Sequence, residues 1–479
     1  MADSPHQLQL SPEAMRDFGN RVVELLARRF AEVDSTLVTQ TGDPADLARE
    51  FDEPFADDPQ DLAELLADVE TEVFGQFGQT MHARFFAFVP SPNNFVSVMA
   101  EALTAGFNAF AGNWLEASGP TRMELSTIDW LCRQCGLPET SGGIFTSGGS
   151  VANLTALAAA RDARLAGDLK DAVAFCSDQT HRAVDRAFHI LGFAPGQLVR
   201  IASNPEQQLP LEELQQHFAE AKRRNLRPFC VVANAGTTNT GAVDPLPELG
   251  KFCREHNLWL HADGAYGAAA VMTEEGRHLL AGMDEVDSLV IDPHKWLFQP
   301  YELGCVLVRD RRDLFRTFRM TGEYLQDVET IPDAINLYDF GPQMTRSAKA
   351  LKLWMSLRAF GVAAFRAAIQ TGMESARHAD TLIQEMDRLE VTSAAQLAVV
   401  TFRYLPEVGD EQLAEAANRA IVHRGLTDGF ATVTSTVLSG RSVLRLCTIN
   451  PRTTSEDLRS TLERLRMFGD EYVAEVASG

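Results

Sequence analysis

The chain has 479 residues, 45% of them hydrophobic and 23% charged, with a formal net charge of −23. That length passes the roughly 250–300 residues at which single cores divide, so two or three domains are expected, and the acidic balance argues against nucleic acid and anionic membrane surfaces as partners. Seven cysteines, an odd number spread through apparent helices and strands, fit a reducing compartment better than a disulfide scaffold.

In chain order, Met1-Ala2-Asp3-Ser4-Pro5-His6 has no basic stretch leading into an apolar core, so no signal or transit peptide is expected and a cytoplasmic location follows by default. Phe18, Val22, Leu25, Leu26 and Phe30 recur at helical spacing after an N-cap at Ser11 and a proline at the first turn. Residues 41–58, rich in Asp, Pro and Gly, read as a loop, and Leu62 to Phe74 reads as an amphipathic helix. Residues 1–75 thus form a helical arm with little core of its own, which must pack on something else, a second subunit included. The most apolar long stretch, Val96 to Leu115, is interrupted by Glu101 and Asn108; it is too polar to span a bilayer and reads as a buried helix. Cys132-Arg133-Gln134-Cys135 has neither a second pair nor a nearby histidine, so helical spacing explains it better than a metal site.

The middle of the chain alternates helical segments with short apolar runs: Ala172 to Cys176, Leu198 to Ala202, Phe229 to Ala233, Leu258 to Ala262, Leu289 to Ile291 and Cys305 to Val308. This alternation predicts an α/β domain over 76–345, with a mostly parallel sheet covered by helices on both faces. From about Phe340 the texture changes to two long helices (Ser347 to Phe360, Val362 to Met386), a strand at Leu397 to Phe402, a helix near Glu411 to His423, strands at Ala431 to Leu438 and Ser442 to Thr448, and a final helix, Thr454 to Phe468. Residues 346–479 are therefore expected to form a small α+β domain.

The chemistry concentrates where predicted strands end, which is where open α/β sheets bind ligands. Asp292-Pro293-His294-Lys295-Trp296-Leu297 follows one buried strand, and His261-Ala262-Asp263-Gly264-Ala265-Tyr266 ends another, 295 − 263 = 32 positions earlier. Burial favours the neutral form of a lysine, and a neutral amine can hold a carbonyl cofactor as a Schiff base. A carboxylate on the neighbouring strand suits the protonated nitrogen of pyridoxal phosphate. Thr146-Ser147-Gly148-Gly149-Ser150 opens an Ala-rich helix whose N-terminal N–H groups suit a phosphate. His181, in Ser177-Asp178-Gln179-Thr180-His181, is placed to stack on a flat ring; His189 and His261 lack that placement and read as packing residues.

Together with Ala235-Gly236-Thr237-Thr238, these segments resemble, in order and spacing, the group II pyridoxal-phosphate-dependent amino acid decarboxylases, typified by the aromatic-L-amino-acid and glutamate enzymes. The resemblance implies a type I aminotransferase-like fold and a homodimer with active sites at its interface. It implies that Lys295 binds the cofactor aldehyde, Asp263 pairs with the pyridine nitrogen and His181 stacks on the ring. Gly148, Gly149, Ser150 and His294 would hold the phosphate, Thr237 would lie near the cofactor, and Ala265 would pack on the ring. It further implies a proton-donating tyrosine within 321–345, where Tyr338 is the nearer candidate and Tyr324 the second. The Phe86–Asn94 segment corresponds to a substrate-contacting turn; Phe88 and Trp114 either shape an apolar pocket or belong to the core, and no arginine stands out as a partner for an acidic substrate side chain. The expected reaction is decarboxylation of an amino acid, with a lean toward aromatic or other apolar substrates. The alternatives are an aldehyde synthase, another lyase or an aminotransferase on the same cofactor, and a non-catalytic scaffold, against which Lys295 and Asp263 argue.

Overall fold

The computed structural model describes residues 8–320, 331–407 and 409–478. Its centre is a seven-stranded sheet of β1 (Gly142–Thr146), β2 (Ala172–Ser177), β3 (Leu198–Ile201), β4 (Arg227–Asn234), β5 (Trp259–Asp263), β6 (Ser288–Ile291) and β7 (Gly304–Val308), in the order β1-β7-β6-β5-β4-β2-β3. β3, β2, β4, β5 and β6 are parallel neighbours, and β7 runs antiparallel between β6 and β1. Every residue of β1, β2, β5, β6 and β7 is buried, as expected where helices cover both faces. The six expected runs all fall on strands. β1 was not foreseen, because Gly142 and Gly143 weaken its apolar signature; an added Cβ at Gly143 would stand 2.1 Å from Val306 O, so the close approach to β7 requires glycine.

A second sheet, β10 (Thr434–Leu438), β11 (Arg441–Cys447), β9 (Val399–Tyr404) and β8 (Leu389–Gln396), is antiparallel throughout. It packs with the Glu411–Asp428 and Ser455–Ser478 helices around Phe86, Phe402, Leu444, Leu446 and Leu462. β8 escaped the sequence pattern because it is only half-buried and carries Ser and Ala where an apolar strand was sought. The two long helices expected after Phe340 meet at Gly361, whose φ of 76° and ψ of 152° interrupt the Leu351–Glu385 helical span in a region that favours glycine. Thr454 and Asp457 cap the last helix reciprocally, each side chain accepting the other's backbone N–H.

In the arm, the Pro12–Glu32 helix starts at the Ser11 cap as expected. The expected loop at 41–58 contains a further helix, Pro44–Phe51, signalled by the Asp43 N-cap and the adjacent proline. Residues 96–115 do not form one buried helix. The Phe95–Phe107 helix stops at Asn108, whose left-handed conformation caps it, and the next begins at Trp114. Leu103 and Phe107 project outward, Phe107 at 82% exposure. Among the described residues no helix is long and apolar enough to cross a membrane.

Candidate active site

β1, β2, β4, β5 and β6 all deliver their carboxyl ends to the same edge of the large sheet, and the antiparallel β7 begins there. A cavity of ≈ 260 Å³ opens at this edge, lined among others by Gly148, Gly149, His181, Asp263, Asp292 and Lys295. Ser150, Thr237, Ala265 and His294 also face it. Nine of the ten expected site residues thus line the cavity; the tenth, Tyr338, does not. Tyr338 sits 4% exposed in a helical turn, Leu337–Phe340, with its backbone N–H donated to Gly112 O. Tyr324 lies outside the described residues.

Asp263, the last residue of β5, is 7% exposed. Its Oδ1 accepts the Ala265 N–H at 3.1 Å and its Oδ2 accepts Asn153 Nδ2 at 3.2 Å, which sets the plane of the carboxylate. Opposite it, the 292–303 segment leaves β6, with the Asp292 N–H donated to Ala265 O and the Lys295 N–H to Asp292 O. This short turn places Lys295 Nζ 3.0 Å from Asp292 Oδ2. The expected neutral amine is therefore corrected. Burial does lower the affinity of Lys295 for its proton, but Asp292 and Asp263 more than reverse the effect, and the net shift is upward. His294 accepts the Leu303 N–H at Nδ1, lies 3.6 Å from Asp292 Oδ2 through Nε2, and is held below the ordinary imidazole range by burial.

Gly148 and Gly149 open the Gly149–Leu165 helix with no side-chain cap on its first N–H groups. A Cβ on Gly149 would fall 2.8 Å from Asp292 Oδ2 and 3.2 Å from the Ala265 Cβ, so bare backbone is required there. His181 caps the Arg182–Ile190 helix, accepting the Ala183 N–H at Nδ1, and presents its exposed ring to the cavity. Thr237 is buried with its hydroxyl engaged by Thr240 and the Ala242 N–H within its own turn. Three features fit pyridoxal phosphate: uncapped helix N–H groups beside a glycine pair, of which Gly149 must be bare, for a phosphate, a fixed carboxylate, and an amine across the cavity from it.

A second cavity of ≈ 440 Å³ shares His181, Thr238 and Lys295 with the first and extends to Phe88, Val89, Thr436 and Arg445. Phe88 thus belongs to a cavity wall, whereas Trp114 is not among the residues lining either cavity. Arg445 on β11 is 3% exposed; its Nη1 donates to Phe88 O, while Nε and Nη2 have no hydrogen-bond partner. Sequence reasoning missed Arg445, Asn153 and the function of Asp292. The available signals were an arginine inside the apolar run Val443–Cys447, an asparagine among the buried alanines of a helix, and a carboxylate three residues before the key lysine.

Residues 44–405 match the family model described as "Pyridoxal-dependent decarboxylase conserved domain". An aromatic-L-amino-acid decarboxylase of Bacillus atrophaeus is 42% identical over 466 residues, covering 97% of each chain. A phenylacetaldehyde synthase of Arabidopsis thaliana is 28% identical, covering 93% of this chain and 94% of that one. Among solved structures, Oryza sativa TDC with PLP and tryptamine superposes with a TM-score of 0.91 at 28% identity, covering 96% of this chain and 99% of that one.

Proposed function

The chain belongs to the pyridoxal-dependent decarboxylase family and is a pyridoxal-phosphate-dependent carboxy-lyase; on that premise we propose that it converts an aromatic L-amino acid to the amine and CO2. The observation that carries the reading is the convergence of Lys295, Asp263 and the glycine cradle on one cavity. The aromatic preference is supported by the activity named for the Bacillus relative and by the Phe88 and Val89 wall of the adjoining cavity.

When bound, pyridoxal phosphate supplies an electron sink for the pair released as the bond from the α-carbon to the carboxylate breaks. Lys295 Nζ would hold the cofactor through its aldehyde, and Asp292, 3.0 Å away, holds the proton of the free amine. Asp263, pre-oriented by Asn153 and the Ala265 N–H, would hold a proton on the ring nitrogen, its own charge fixed in place beforehand. The N–H groups at Gly148, Gly149 and Ser150, with His294, would bind the phosphate. His181 would stack on the ring, with Ala265 packing against it and Thr237 nearby, all three lining the cavity. Arg445 orients the substrate carboxylate with its two unpartnered nitrogen atoms.

We further assign the protein to a cytoplasmic homodimer divided into 1–75, 76–345 and 346–479. The Pro12–Glu32, Pro44–Phe51 and Leu62–Asp68 helices bury no residue within the protomer, and Leu103, Phe107 and Leu115 are exposed, apolar surface suited to a second copy. The seven cysteines are free and buried, which supports a reducing compartment. Tyr338 is kept as the proposed proton-returning tyrosine; in its own chain it is buried in the Leu337–Phe340 turn and does not line the cavity.

Product analysis tests the reading. Purified enzyme loaded with cofactor and offered aromatic, acidic and aliphatic amino acids in turn is expected to release CO2 and amine in equal amounts from the aromatic ones. Aldehyde with ammonia and peroxide would favour the synthase alternative represented by the Arabidopsis relative, and a keto acid would favour an aminotransferase.

A further inference from the structure

A chain of buried polar groups runs away from the cavity behind Asp263. Asn153 Nδ2 donates to Gly149 O at 2.9 Å and to Asp263 Oδ2 at 3.2 Å. Both are acceptors, so the amide must present its nitrogen to them and its oxygen to the other side. That oxygen lies 2.7 Å from His261 Nε2. Two acceptors cannot face each other at that distance, so Nε2 carries a hydrogen. His261 Nδ1 is 2.8 Å from Ser288 Oγ, and Ser288 Oγ accepts the Trp259 Nε1–H at 2.8 Å. The serine hydroxyl therefore has its own hydrogen free to give to Nδ1. Trp259, Ser288, His261 and Asn153 are each 2% exposed or less. Burial holds the His261 imidazole down to about 4, so the neutral ring with the hydrogen on Nε2 is the form present at neutral pH.

We propose that His261 is a positioning residue for the cofactor site: its Nε2–H locks the Asn153 amide in the orientation that donates to Asp263, with Ser288 and Trp259 holding the imidazole in that tautomer. This inference rests on the carboxy-lyase reading, because it concerns the carboxylate that faces the ring nitrogen. A histidine between two apolar residues of a strand reads as packing, and this network gives it a direction. The glycine cradle joins the same network, since Asn153 also binds Gly149 O. One imidazole thereby fixes both the carboxylate and the first residue of the phosphate-binding helix.

Two substitutions separate this role from simple burial of a polar ring. Glutamine places an amide nitrogen where Nε2 lies and keeps the donor to Asn153; asparagine places an oxygen where Nδ1 lies and keeps only the acceptor for Ser288. Cofactor dissociation constants of refolded apoenzymes are read by fluorescence, with folding checked by circular dichroism. His261→Gln is expected to stay within about threefold of the parent, and His261→Asn to bind at least about tenfold more weakly, the scale of one hydrogen bond to a charged group. Equal weakening in both variants overturns the proposal. Imidazole ¹⁵N spectra of the unsubstituted apoenzyme provide an independent reading: a His261 hydrogen on Nε2 is expected, and one on Nδ1 overturns the proposal even if neither variant folds. Should the unsubstituted chain bind no pyridoxal phosphate at all, it is the carboxy-lyase reading that fails.

Discussion

The two sides of Asp263 are built to different rules. Behind it, Asn153, His261, Ser288 and Trp259 are buried and each side-chain nitrogen or oxygen in the chain finds a complement. In front of it, Asp292 Oδ1 is buried with no hydrogen-bond partner, and so are Arg445 Nε and Nη2. Buried polar groups without partners are costly; Asp292 and Arg445, which carry them here, line the two cavities, while the groups behind Asp263 are satisfied. The satisfied groups fix the Asp263 carboxylate, and the unsatisfied ones belong to residues that line the cavities proposed for cofactor and substrate.

That contrast can be broken most severely at the nucleophile. Lys295→Ala is expected to lose turnover altogether, measured as CO2 release with saturating cofactor; release at the parent rate would contradict the account. Asp263→Asn keeps the shape but removes the charge, and a fall in kcat on the order of 10²–10³ is expected, comparable to removing one preorganised electrostatic contact. A kcat unchanged by that substitution would mean that the carboxylate is structural.

Asp292→Asn sharpens the comparison without touching turnover as its readout. Lys295 holds its proton more tightly than an ordinary lysine because of Asp292 and Asp263, against the pull of burial. Removing one of these two charges lets burial act, so the midpoint falls. Cyanate reacts only with neutral amines. Carbamylation of Lys295 in the cofactor-free variant is expected to reach half its maximum about 1–3 pH units lower than in the parent, the range for an adjacent opposite charge. Coincident pH profiles would remove Asp292 as the counter-ion. The smallest effect is expected at Arg445→Lys, which keeps the charge but loses the planar pair of donors. KM for the amino acid is expected to rise about tenfold with cofactor affinity unchanged, the scale of one charge-assisted hydrogen bond. A change confined to cofactor affinity would place Arg445 elsewhere in the mechanism.

The sequence showed the front of the site better than the back. Lys295, Asp263, His181 and the Gly148-Gly149 turn stand at the ends of short apolar strands, where a polar residue interrupts a strong pattern. His261 sits inside such a run, and nothing in the local pattern shows that Ser288, on the next strand, and Asn153, on a helix, meet its two nitrogen atoms. The charge state of Lys295 was misread for the same reason. Apolar neighbours in sequence suggested a bare amine, while the turn that closes β6 brings Asp292 back onto Nζ. The strands of the large sheet were legible from their buried runs, but β1 begins with glycines and β8 is half-buried, so both needed tertiary context. Tyr338, the nearer tyrosine that the resemblance offers, folds into a buried turn beside Gly112, a position its local sequence does not disclose.

The central claim is a covalent one, and reduction tests it most directly. Borohydride treatment of the enzyme loaded with pyridoxal phosphate, followed by peptide mapping, is expected to find the reduced pyridoxyl group on Lys295. A label on another residue, or no label after loading, would contradict the account.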